Sequence, residues 1–259
     1  MKKFQFRWLY VLFIYSFLYI PLFVLIVFSF NDGASGVIWK GFSFRWYEKL
    51  ANSSALITGT INSLIVSISA STIVTIIGTL SAVTLFRFKF FGKKFIMSML
   101  YILIMSPEII MGISLLLLFK FLNLDLGFQT LLVTHVTLCL PFVMAVLFTR
   151  LSDFDIRLIE AAKDLGANEL QTFFHVILPS ILPAVIASWI LSFTISMDDS
   201  ITAFFTSGPD FEILPQKIYA MVRTGVKPEV NALSTIIFGV SVLVIIIAQF
   251  MLKEKKSKK

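Results

Sequence analysis

The 259-residue chain is 58% hydrophobic and only 14% charged, with 28 Phe and a mean hydropathy of +0.91. Soluble domains carry about a quarter charged residues, so this composition excludes an ordinary water-facing globule and makes lipid the solvent. The net charge of +7 would suggest nucleic acid as the partner of a soluble protein, but here its distribution points to a membrane and not to nucleic acid.

A helix needs roughly 20 apolar residues to cross the hydrocarbon core. Six stretches qualify: 8–30, 59–86, 95–119, 128–149, 183–205 and 232–252. Four carry no charge; the third holds Glu108 and the fifth holds Asp198 and Asp199. The first run exceeds the usual apolar core of a signal peptide, about 7–15 residues, and no A-x-A-like site comes directly after it, so it reads as a retained helix. Beyond it, Trp46 and Tyr47 fall in the first outer loop. Trp46 is either a cation–π receptor for an ammonium group or an aromatic of the interfacial belt.

In the second span Ser63, Ser67, Ser71, Thr75 and Thr79 recur every fourth residue, beside Gly78 and Ala82. Small residues on one face let helices approach closely, so this stripe predicts a packing seam. In the fourth span His135 and Cys139 share a face, which is too few ligands for a metal; a hydrogen-bonded His inside the bundle is expected. The single Cys139 can form no intrachain disulfide.

Lys and Arg mark the cytoplasmic side of a membrane protein. The N-terminus, the loops after the second and fourth spans and the C-terminal tail hold 15 of the 22 Lys and Arg, so both termini are placed inside. The lysine tail after Leu252 suits an anchor near anionic lipid.

The inside loop 150–182 contains Glu160-Ala161-Ala162, then Gly166 after three intervening residues, and Val176-Ile177-Leu178-Pro179 after nine more. Asp153 and Asp155 can cap a short helix, Gly166 can end it in the left-handed conformation, and Pro179 and Pro183 interrupt or start the next helical segments. A helix–turn–helix pinned between two spans could transmit force. Glu169 is open to three readings: contact with a cytoplasmic partner, contact with something leaving the membrane pathway, or plain solvation.

The fifth span places Ser188, Ser192, Ser196 and Asp199 on one stripe and Thr194, Asp198 and Thr202 on the next. A charge at mid-bilayer costs at least about 2.5 kcal/mol, so the carboxylates need a reason. Counted from Pro183, the pair lies about 23 Å along the helix, in its outer half. With Glu108, read as mid-helix in the third span, the three could line one cavity that suits an organic cation bearing several ammonium groups. Pairing within the bundle is the competing explanation for each. Ser196 shares the Asp199 stripe and could hydrogen-bond.

No phosphate-binding G-x-x-x-x-G-K-[ST] loop, HExxH, GxSxG or Cys/His cluster occurs. No catalytic, cofactor or metal site is therefore expected in this chain, and it holds no loop of that kind to cradle ATP phosphates.

The Glu160–Pro179 pattern resembles the coupling loop of permease subunits of binding-protein-dependent ABC importers, with Val176 in place of Ile. That resemblance implies an all-α membrane protein of the type I importer fold, six transmembrane helices in one domain, 1–259, with both termini cytoplasmic, in the bacterial inner membrane. It also implies that Glu160, Ala161, Ala162 and Gly166 dock on the ATPase. The Ser196-Met197-Asp198-Asp199 stretch, Leu214-Pro215 and residues 218–232 resemble the spermidine/putrescine permeases, specifically their C subunit. By that likeness Asp198 and Asp199 contact polyamine in transit, while Glu108 stands where the family often has Asp. Implied partners are a homologous permease subunit in a heterodimer, two ATPase subunits and an extracytoplasmic polyamine-binding protein. An importer of thiamine or ferric iron is the alternative within the class. A proton-coupled secondary transporter is the alternative outside it, and it would need no such loop.

Overall fold

Backbone N–H and C=O groups in hydrocarbon find no water, so a chain this apolar must satisfy them inside helices. The computed structural model describes residues 2–33, 38–223, 228–239 and 242. Among them there is no strand, only a lone bridge between Asn31 and Phe42. The helices are α1 (Lys2–Phe28), α2 (Arg45–Ala51), α3 (Ser54–Arg87), α4 (Lys93–Met105), α5 (Glu108–Phe121) and α6 (Phe128–Ser152). They continue with α7 (Arg157–Asp164), α8 (Glu169–Thr172), α9 (Leu178–Asp198), α10 (Ile201–Thr206) and α11 (Leu214–Arg223). A π-helical turn, Phe173–Ile177, joins α8 to α9. By length and apolarity four described helices can span a membrane, and a bent pair makes a fifth.

Three of the six expected spans match single helices: α1, α3 and α6. The third, 95–119, does not. It is two helices, α4 and α5, bent by 114°. Ser106 and Pro107 are both extended, with ψ of 131° and 132°. Proline lacks an N–H and drives the preceding residue out of the helical region, so the chain breaks there. Glu108 is accordingly the first residue of α5 and not mid-helix. The fifth span, 183–205, also needs correction. Its helix starts earlier, at Leu178, and stops at Asp198; Asp199 is extended (ψ 119°) and α10 comes next as a separate turn and a half. Of the sixth, 232–252, residues 232–239 are helical and most of the rest, with the lysine tail, lies outside the described residues.

The chain divides into two compact units. The first comprises residues 1–57 and 217–259. Its α1 buries none of its apolar stretch Tyr10–Phe28, as expected of a lipid-facing helix. After α1, the buried Asn31 organises the turn: its Oδ1 accepts from the Gly33 and Lys40 N–H groups and its Nδ2 donates to Ile38 O. Phe30, Phe42, Phe44 and Tyr47 stack around it with centroids 5.1–6.1 Å apart.

The second unit, 58–216, holds the main core. Val74, Val83, Val143, Leu147, Leu151, Ile159, Ile177 and Ile181 pack together from α3, α6, α7, the π turn and α9. The small-residue stripe of α3 is buried along its length, as a packing seam should be. At Gly78 a Cβ would lie 2.6 Å from Val143 Cγ1, so only glycine permits this α3–α6 approach. Gly78→Ala should therefore lower thermal stability of the purified protein by about 1–3 kcal/mol through overpacking. Adding Val143→Ala, which removes the offending methyls, should recover most of that loss; failure to recover would place the strain elsewhere.

Candidate functional site

The two helix breaks in the second unit open onto one cleft. Its volume is about 470 Å³, and its walls include Leu103, Ser106, Glu108, Phe142, Asp198 and Asp199. Glu108 arrives because Pro107 starts α5, which sets its carboxylate at the positive end of that helix. Glu108 and Asp198 are exposed in the cleft, whereas Asp199 is 7% exposed. The remaining walls come from Ile104, Met111, Leu138, Ile195 and Ile201, with Ser200 next to the carboxylates. A cleft with both apolar walls and carboxylates can hold a chain of methylenes by contact and its cationic ends by charge.

Asp199 does a second job. Its Oδ1 accepts from Thr202 N–H at 3.1 Å, and its Oδ2 accepts from the Thr202 hydroxyl and from Ala203 N–H at 3.2 Å. These are the free donors at the start of α10, so the side chain caps that helix. An Asp placed three residues before Thr202 at the head of an apolar turn is a capping signal in the sequence, masked by reading 183–205 as one helix.

Ser196 does not reach the cleft. It is 1% exposed and hydrogen-bonded to Ser67 Oγ at 3.0 Å and His135 Nδ1 at 2.6 Å. His135 is the buried, hydrogen-bonded histidine expected of the fourth span, and Cys139 donates to Ser192 O at 3.5 Å. Trp46, in the first unit, is 5% exposed; its indole N–H donates to Asn31 O at 2.6 Å. Arg45 and Lys49 of the same helix already stand 5.4 and 5.5 Å from its ring centroid. Trp46 thus braces α2 against the Asn31 turn, and an external ammonium group would compete with the chain's own cations.

The loop 150–182 is built from caps. Asp155 Oδ1 accepts from Arg157 N–H at 3.0 Å, and the Arg157 guanidinium holds that carboxyl below its ordinary range. Asp153 directly succeeds α6 instead of capping α7. At the other end Gly166 has φ of 85°, with Ala167 N–H bonded to Ala162 O and Gly166 N–H to Lys163 O. This pair of bonds is the Schellman closure. Asn168 and Gln171 then cap α8 reciprocally. Pro179 enters α9 directly behind the π turn. Between the caps, Ile159 is buried and Glu160, Ala161 and Leu165 face outward, Leu165 being 90% exposed. Glu169 is neither free nor simply solvated: its carboxylate pairs with Arg87 at 2.6 Å and Lys163 at 2.9 Å.

Both the cleft and the capped loop lie within a stretch shared with known proteins. Residues 74–257 match the family described as "Binding-protein-dependent transport system inner membrane component". The chain is 49% identical over 242 residues to the spermidine/putrescine transport system permease protein PotC of Escherichia coli, covering 93% of this chain and 92% of that protein. It is 46% identical to the PotC of Haemophilus influenzae over 98% of this chain and 99% of the other. With the putrescine transport system permease protein PotI of Escherichia coli the identity is 39%, over 95% and 90%. Among solved structures, one of a bacterial ABC transporter involved in importing the acidic polysaccharide alginate matches with a TM-score of 0.75 at 17% identity, over 97% and 96% of the two chains. At that identity the match speaks for the fold alone.

The caps make two predictions. Gly166→Ala forces a side chain into the left-handed region and should cost about 1 kcal/mol, read as faster amide exchange across 157–167 with α6 unchanged. Glu169→Gln removes both ion pairs; because exposed pairs contribute about 0–1 kcal/mol each, the melting temperature should barely move while exchange at 163–172 quickens. A large fall in melting temperature would show that Glu169 holds more than the loop.

Proposed function

The chain belongs to the family of inner-membrane components of binding-protein-dependent transport systems, and from that premise we propose that it is the membrane-spanning subunit of an ATP-driven polyamine importer. The observation that carries the substrate class is the cleft where Glu108, Asp198 and Asp199 meet among apolar walls. Among the described residues these carboxylates form no cluster tight enough for a metal ion. Carboxylates that do not converge on one point, beside apolar walls, suit a flexible chain with separated ammonium groups better than a point charge such as ferric iron.

Each group has a separate task. Glu108 and Asp198, the exposed pair, meet the ammonium groups and replace their lost hydration. Asp199 adds negative potential from behind while holding α10 in place. The outward Glu160, Ala161 and Leu165, backed by Gly166, form the surface that docks on a separate ATPase subunit. Glu169 ties that surface through Arg87 to the end of α3. The transporter assembles from this chain, acting as one transmembrane domain, a homologous permease subunit and two ATPase subunits, fed by an extracytoplasmic polyamine-binding protein. ATP binding and hydrolysis switch the pair between inward-open and outward-open arrangements. The first and last residues face the cytoplasm, with the lysine tail anchored to membrane lipid.

The deciding experiment is uptake of labelled spermidine in membranes that co-express the whole system. Asp198→Asn should reduce uptake at least tenfold, since it removes a compensating charge, while assembly and basal ATPase activity persist. Unchanged uptake would remove Asp198 from the path. Glu160→Ala should instead lose ATP-dependent uptake with substrate binding intact; full uptake in that variant would count against the docking role.

A further inference from the structure

His135 is completely buried in α6, and no step of the proposed cycle uses it. Its ring nonetheless meets a polar group at both nitrogens. Nδ1 lies 2.6 Å from Ser196 Oγ on α9, which in turn lies 3.0 Å from Ser67 Oγ on α3. Nε2 points at Asp199, 3.3 Å from Oδ2, without the alignment of a full hydrogen bond.

The placement of protons is dictated by these neighbours. A carboxylate only accepts, so an unprotonated Nε2 would set a lone pair against an oxygen that can offer it nothing. The contact with Asp199 therefore favours a proton on Nε2. The hydroxyls accommodate this in two ways. Either Ser196 donates to Ser67, as in the structure, and both ring nitrogens carry protons, or the Ser196 hydroxyl turns to donate to Nδ1 and the ring is neutral. Serine hydroxyls rotate, so either arrangement satisfies every group in the row. In both, the Nε2 proton faces Asp199, 3.3 Å from Oδ2.

We infer that His135 is a positioning residue for the cleft: acting through Asp199, it fixes the break between α9 and α10 and so sets where the neighbouring Asp198 stands. Asp199 is then gripped from two sides, by the N-terminus of α10 and by an imidazole anchored across three helices. Movement of Asp199 into the cleft would uncap α10 and strand the Nε2 proton. Ser196 belongs to this grip, and its loss acts through the ring and not through contact with substrate. The consequence for uptake rests on the proposed transport function; the position of the proton does not.

The test has two arms. In the first, the chain carries ¹⁵N-histidine and His175→Gln, which leaves His135 as its single histidine, and is assembled with unlabelled partner subunits in lipid nanodiscs. Nitrogen spectra should show a protonated Nε2; a bare Nε2 with the proton on Nδ1 overturns the inference whatever the complex carries. In the second, His135→Ala should raise the KM for spermidine at least tenfold at unchanged subunit abundance. His135→Gln, whose amide can still donate toward Asp199, should recover most of that rise. A wild-type KM in His135→Ala, or a glutamine variant as impaired as alanine, refutes the positioning role. Should the wild-type complex carry no spermidine, the transport function fails and the nitrogen spectra alone decide. The same spectra decide if the variants do not accumulate.

Discussion

A helix can end inside a membrane only where something other than water takes up its free N–H groups, and that constraint organises the second unit of this protein. Two helices begin in mid-chain at the same cleft. One is α5, started by Pro107, which brings no N–H of its own, with Glu108 immediately after it. The other is α10, whose first donors are taken by Asp199. In both places an acid sits at the positive end of a helix. The same arrangement lowers the cost of Glu108 and Asp199 in an apolar protein and opens the space in which they meet Asp198, the last residue of α9. Breaks, charges and cleft are one device.

The loop 150–182 meets a different constraint. An eight-residue helix has no stability of its own in water, because nucleation is costly and too few bonds form to offset it. Here α7 is held by Asp155 at its start, by the left-handed Gly166 at its end and by Ile159 in the core beneath. What remains outward is a short rigid surface of Glu160, Ala161 and Leu165. Glu169 joins α7 to α3 through Lys163 and Arg87, so a push on the loop reaches the bundle through ion pairs as well as through Ile159. In the proposed importer, a surface that transmits force needs such stiffness more than it needs net stabilisation.

Between cleft and loop lies the seam of α3 against α6 and α9. Its serines, threonines and Gly78 bring the backbones close, and Ser67 extends the seam into the row that ends at Asp199. Close packing and polar anchoring thus come from the same stripe. Where the helices are closest, the side chains are also near enough to bond across.

Much of this was written in the sequence itself. The apolar runs determined the helices, since hydrocarbon leaves the backbone no alternative, and the four-residue period of small side chains determined the seam. The left-handed turn was legible at Gly166 because only glycine takes that conformation without strain. Capping and breaking are also local, yet Pro107 and Asp199 were overrun by the hydropathy of their surroundings, which is why 95–119 and 183–205 read as unbroken. Tertiary structure alone decided the rest. Nothing local joins Glu169 to Arg87 or His135 to Ser196, because each pair lies on different helices far apart in the chain. Nor does helical spacing distinguish Asp198, which faces the cleft, from Asp199, which turns back to hold the structure. That difference arises from the extended backbone at Asp199 and from the donors that packing brings to it, and those exist only once the helices have met.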